Sequence, residues 1–119
     1  MLREIPEPRQ IRGEPRRRWF NSAAMDLYIW YDDAGAPLGF QLCYGKPYHE
    51  RALTWFRPDA YSHMRVNPTG GAGDRYGTPI LVADGLFEPD TVRTDFAREA
   101  GDLPADVVSL VSDKIAGYP

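Results

Sequence analysis

Between Met25 and Val66 the apolar positions recur every second residue, a spacing that predicts strands rather than helices. In Met25–Asp32 the apolar set is Met25, Leu27, Ile29 and Tyr31. Asp33-Ala34-Gly35-Ala36 has turn chemistry, with Gly35 free to take a positive φ. Pro37–Tyr44 resumes the alternation with Leu38, Phe40, Leu42 and Tyr44. A four-residue loop pairs Tyr31 with Leu38, Ile29 with Phe40, Leu27 with Leu42 and Met25 with Tyr44. One face of the hairpin is then wholly apolar, and a slip of one residue would mix the faces.

The same reasoning extends down the chain. Lys46-Pro47-Tyr48-His49 as a loop pairs Leu42 with Leu53 and Phe40 with Trp55. Pro58-Asp59 as a tight turn pairs Arg57 with Ala60 and Leu53 with Met64. The opposite face then holds three rows: Trp30, Gly39, Phe56, Tyr61; Tyr28, Gln41, Thr54, His63; and Asp26, Cys43, Ala52, Arg65. A face made for water would carry Lys, Glu and Thr. This one is aromatic and uncharged through its middle, with Asp26 and Arg65 at its corners.

Flanking segments complete the expected fold. Arg16–Asn21 reads as a strand joined to Met25–Asp32 through Ser22-Ala23-Ala24, and Thr78–Ala83 as a further strand. A helix is expected from Asp90, a favoured N-cap residue, to Ala100, with Gly101 ending it. A second runs from Pro104 to Gly117, with Val107, Leu110, Val111 and Ile115 at helical spacing. The fold class is therefore α+β: a five- to six-stranded antiparallel meander, as a twisted sheet or half-open barrel, with C-terminal helices on its apolar face. Residues 1–15, with Pro6, Pro8 and Pro15, are expected as an extended, mobile arm before a single domain over 16–119.

Composition narrows the function classes. The 119 residues suffice for one core without metal or disulfide staples. The single Cys43 excludes an internal disulfide, and with no secretory apolar region the expected location is cytoplasmic. No apolar run reaches the ~20 residues of a membrane helix. The net charge of −3 exerts no general pull on nucleic acid or anionic membrane. It is unevenly spread: Arg3, Arg9, Arg12, Arg16, Arg17 and Arg18 make the start basic, whereas the chain from Asp84 onward is acidic.

The chemical motifs are sparse. His49 and His63 lie ~16 Å apart on the expected strands, too far to share a metal, and nothing calls for a cofactor. Asn67–Gly77 is glycine-rich but lacks the Gly-Lys-Ser/Thr ending of a phosphate-binding loop. Asp32 and Asp33 are explained by the turn they occupy. Thr54 beside His63 pairs a nucleophile with a base, yet an orienting acid and an oxyanion donor are missing. The expected function is a non-enzymatic binding domain that self-associates, as a dimer, through Tyr28, Trp30, Gln41, Phe56, Tyr61 and His63. The alternative is a small-ligand protein or enzyme whose pocket on that face gathers His63 and Thr54 with Asp26 or Arg65. Single-stranded nucleic acid stacking on the rings is a third reading, disfavoured by the acidic body.

Overall fold

Strand alternation in the sequence becomes a pleated antiparallel meander in a computed structural model, which describes residues 1–6, 13, 15–46, 50–67, 80–83 and 87–119. The strands are β1 (Arg3–Glu4), β2 (Arg16–Asn21), β3 (Asp26–Tyr31), β4 (Pro37–Tyr44), β5 (Arg51–Phe56), β6 (Ala60–Asn67) and β7 (Ile80–Ala83). They lie in chain order with β1 and β7 at the two edges, so the sheet stays open. Two helices follow, α1 (Pro89–Glu99) and α2 (Ala105–Ala116). The α+β meander with C-terminal helices is thus the architecture of this chain.

The core is the apolar side of the alternation. Leu27, Ile29, Phe40, Leu42, Leu53 and Trp55 project from β3, β4 and β5 against Val92 and Phe96 of α1 and Val107, Val111 and Ile115 of α2. Both helices therefore cover one face of the sheet. Lys114 sets its ammonium 4.6 Å from the centre of the Trp55 ring, pinning the last turn of α2 above β5. The N-cap of α1 lies two residues earlier than expected: it is Glu88, and Asp90 lies inside the first turn.

Two of the three central registers follow the alternation. Leu27 pairs with Leu42 and Ile29 with Phe40, while Leu42 pairs with Leu53 and Phe40 with Trp55. At the first turn, Tyr31 pairs with Pro37 rather than Leu38 because a bulge follows Trp30. Asp32 organises that turn, accepting the N–H groups of Ala34 and Ala36 on Oδ1 at 2.9 and 2.8 Å.

The third register is off by one residue. Phe56, not Arg57, pairs with Ala60, so Leu53 lies beside His63 and Ala52 beside Met64. The reason is visible at Arg57. Its backbone N–H donates to Leu38 O at 2.9 Å, and its guanidinium reaches Asp32 Oδ2 at 3.1 Å. Arg57 thus belongs to β4 and the turn beside it, leaving a three-residue loop. A one-residue slip exchanges the faces of a strand, so Tyr61, His63 and Arg65 move to the helix side.

The first residues also depart from expectation. Leu2 is fully buried, and its N–H donates to Glu99 O at 2.8 Å. Arg3 and Glu4 pair with Asn21 and Phe20. Arg18 clamps Glu4 with two hydrogen bonds of 2.8 Å each. Pairing with the edge of β2 and the bond to the last residue of α1 hold this segment on the domain. Residues 7–12 and 14 of the expected arm lie outside the described residues, as do His49, residues 68–77 of the glycine-rich stretch and residues 78–79 of the expected last strand.

No helix among the described residues is long and apolar enough to cross a membrane.

Candidate functional site

The sheet face turned away from the helices carries three rows. Trp30, Gly39, Phe56 and Ala60 form the first. Tyr28, Gln41, Thr54 and Ser62 form the second, and Asp26, Cys43, Ala52 and Met64 the third. Strand β2 extends them with Arg17 opposite Trp30, Trp19 opposite Tyr28 and Asn21 opposite Asp26.

Four of these side chains make one continuous run of rings. Trp19 stacks on Tyr28 with centroids 5.8 Å apart and planes 12° from parallel. Tyr28 stacks on Trp30 at 6.4 Å, and Trp30 meets Phe56 at 5.5 Å with a 31° tilt. These separations are those of favourable aromatic pairs. The run is broad because Gly39 has no side chain. Phe56, an exposed large apolar residue at 39 %, lies over it. Beside the rings, the Gln41 amide donates to Thr54 Oγ1 at 3.2 Å, so the middle of the face is polar but uncharged.

Trp19 was not evident as a member of this face from the sequence. The β2–β3 connection runs from Ser22 to Met25, one residue longer than expected. Ser22 builds it, with Oγ accepting from the N–H of Ala24 at 3.2 Å and of Met25 at 3.0 Å. That extra residue sets Trp19 and Arg17 on the outer side. The signal was Ser22 itself, a residue whose hydroxyl favours local turns.

Asp26 anchors one end of the run. It accepts from Trp19 Nε1 at 3.0 Å and Asn21 Nδ2 at 2.6 Å, and it is ion-paired with Lys46. Burial works against its charged form, but the bonds from Lys46, Asn21 and Trp19 outweigh that and hold its carboxyl below the usual range. Glu50 lies in the same neighbourhood and behaves differently. Burial first, then the charge of Asp26, raises its pKa despite nearby Lys46. Among the described residues nothing donates a hydrogen bond to it. Cys43 is buried here, and burial pushes its thiol up to about 12. The phenol of Tyr28 is also raised, by burial and then by Asp26.

The expected site residues therefore divide. Tyr28, Trp30, Gln41, Phe56, Thr54 and Asp26 share the outer face. Tyr61, His63 and Arg65 do not. Tyr61 packs against the core, and its hydroxyl donates to Lys114 O at 2.9 Å. His63 is buried, hydrogen-bonded through Nε2 to the Tyr44 hydroxyl, with Phe87 at 4.9 Å between ring centres. Arg65 pairs with Arg51 on the helix side. The Thr54–His63 nucleophile–base pair and the pocket built on His63 are thus dissolved, because the two side chains leave the sheet in opposite directions.

Clefts occur elsewhere. One of about 610 Å³ is lined by Glu4, Arg16, Arg18, Tyr31, Asp32 and Asp33, and its Arg18 is already engaged by Glu4. Among the described residues no three His, Cys, Asp or Glu side chains converge to hold a metal ion. Comparison of the chain with protein-family models, with curated proteins and with solved structures finds no match.

Proposed function

We propose that this chain is a non-enzymatic binding domain that forms a homodimer through the outer face of its sheet. The observation that carries this reading is the run of Trp19, Tyr28, Trp30 and Phe56 on the face opposite the helices. Aromatic residues clustered away from a domain's own core are the usual anchors of protein contacts. Two polar groups beside the run, Gln41 and Thr54, share one hydrogen bond, which offsets part of the cost of removing them from water. A buried, unpaired thiol at Cys43 fits a reducing cytoplasm, where we place the protein.

Sedimentation across a wide concentration range tests the proposal. The wild-type chain is expected to pass from monomer to dimer. Trp30→Ala is expected to weaken association about thirtyfold or more, as for a central anchor. A wild-type chain that stays monomeric at every concentration would refute self-association.

A further inference from the structure

Trp19 stands at one end of the ring run, and its setting can be traced to one neighbour. Its backbone is fixed on both sides, by pairing with Tyr28 and by the Ile5 N–H, which donates to Trp19 O at 2.8 Å. Only the two side-chain torsions are left to decide. Stacking on Tyr28 sets the plane of the indole but not which edge faces which way, because the outer torsion of a tryptophan has two broad, roughly opposite wells. The 3.0 Å bond from Nε1 to Asp26 selects one of them.

The two carboxylate oxygens of Asp26 have separate partners. Oδ1 accepts from Trp19 and, at 2.6 Å, from Asn21, which pairs with Asp26 across β2 and β3. Oδ2 takes the Lys46 ammonium. One oxygen thus serves the ring run, and the other ties in the chain just beyond β4. The Asp26 side chain is only 14 % exposed, so it offers little surface of its own to a partner.

We propose that Asp26 is a positioning residue of the contact face, its Oδ1 holding the Trp19 indole in the single orientation that two copies of this chain share on docking. This role rests on the self-association proposed above and assigns what prepares its surface. A ring already held as it will be docked loses no torsional freedom when the copies meet, whereas a ring free to turn does. A symmetric dimer counts that loss twice, since each copy brings one Trp19.

The separate duties of the two oxygens supply the test. Asp26→Asn keeps an acceptor for the Trp19 N–H and loses the ion pair, Lys46→Gln loses only the ion pair, and Asp26→Leu loses both. All three are compared with wild type by urea unfolding and by sedimentation. All three are expected to be less stable, yet Asp26→Asn and Lys46→Gln should associate like wild type. Asp26→Leu is expected to weaken association roughly tenfold or more. Association that falls in all three variants in step with stability, or an Asp26→Leu chain that associates like wild type, would overturn the role. Should Asp26→Leu fail to melt cooperatively, Trp19→Phe serves instead, since it keeps a ring beside Tyr28 without the N–H. Its association should be weakened, and association equal to wild type would overturn the role. Loss of the dimer in Trp30→Ala but not in Asp26→Leu would remove the role of Asp26 and leave the contact face standing. A wild-type monomer would remove both.

Discussion

Phe56 lies across Gly39 so closely that a Cβ at residue 39 would stand 2.4 Å from Phe56 Cδ1 and 2.4 Å from the Trp55 carbonyl oxygen. The ring run of the outer face thus depends on a missing side chain. A strand residue on β4 leaves its space to a ring from β5, and that ring is then held beside Trp30.

Gly39→Ala is therefore expected to destabilise the fold by ~1–3 kcal/mol, the usual cost of overpacking. The clash with the Trp55 oxygen involves backbone, so adding Phe56→Leu should restore part of the loss and not all of it. Urea unfolding of the wild type and both variants checks this, read as midpoints at constant slope.

The Asp26 carboxylate gathers an indole, an amide and an ammonium. Asp26→Ala is expected to cost ~1–3 kcal/mol, because it strands partly buried donors. The pH dependence has a definite sign. The folded-state pKa of Asp26 is lowered, so the folded chain binds fewer protons than the unfolded one near the ordinary value of about 3.9. Its stabilising effect is complete above that value and is lost as pH falls through the lower, folded one. Glu4, held down mainly by its hydrogen bond from Arg18, and Asp32, held down mainly by the Ala36 N–H, act in the same direction. Thermal melts between pH 6 and about 2.5 should accordingly show a shallower acid decline in Asp26→Asn than in wild type.

The slipped register of β6 is open to a labelling experiment. In a Cys43→Ser background, and at dilutions where the chain is monomeric, Ser62→Cys should react readily with a thiol reagent, because position 62 faces outward beside Thr54. His63→Cys should be protected, because position 63 is buried under Phe87. The reverse order would restore the register in which Leu53 pairs with Met64.

Cys43 itself is expected to be inert. With its thiol pushed up to about 12 by burial, the thiolate population at pH 8 is roughly one part in ten thousand. Alkylation of the folded chain should be far slower than in urea. Rapid labelling under native conditions would show that this part of the face opens.

Tyr61→Phe removes the hydroxyl that donates to Lys114 O at 2.9 Å. A loss of ~0.5–1.5 kcal/mol is expected. Tyr28→Phe, on the outer side, should cost less in stability and be read in dimerisation instead.

Much of this protein was legible in its residue pattern. Period-two alternation over β3, β4 and β5, together with the lengths of the turns between them, sets Ile29, Phe40 and Leu53 on one side, since a one-residue slip would bury polar groups. The two helices announced themselves by Val107, Val111 and Ile115 and by Val92 and Phe96 at helical spacing. Strand β6 was not so constrained. Ala60, Ser62 and Met64 on one side and Tyr61, His63 and Arg65 on the other are both mixed sets, so alternation alone cannot orient them. The choice fell to contacts remote in sequence: Arg57 reaching back to Leu38 and Asp32, Tyr61 reaching Lys114, and His63 meeting Tyr44. Trp19 was likewise turned outward by a single extra residue in the Ser22–Met25 loop. Where a strand's two sides differ strongly in hydrophobicity, local order settles its orientation. Where they do not, a few polar bonds made across the folded chain decide which side meets the helices and which turns outward.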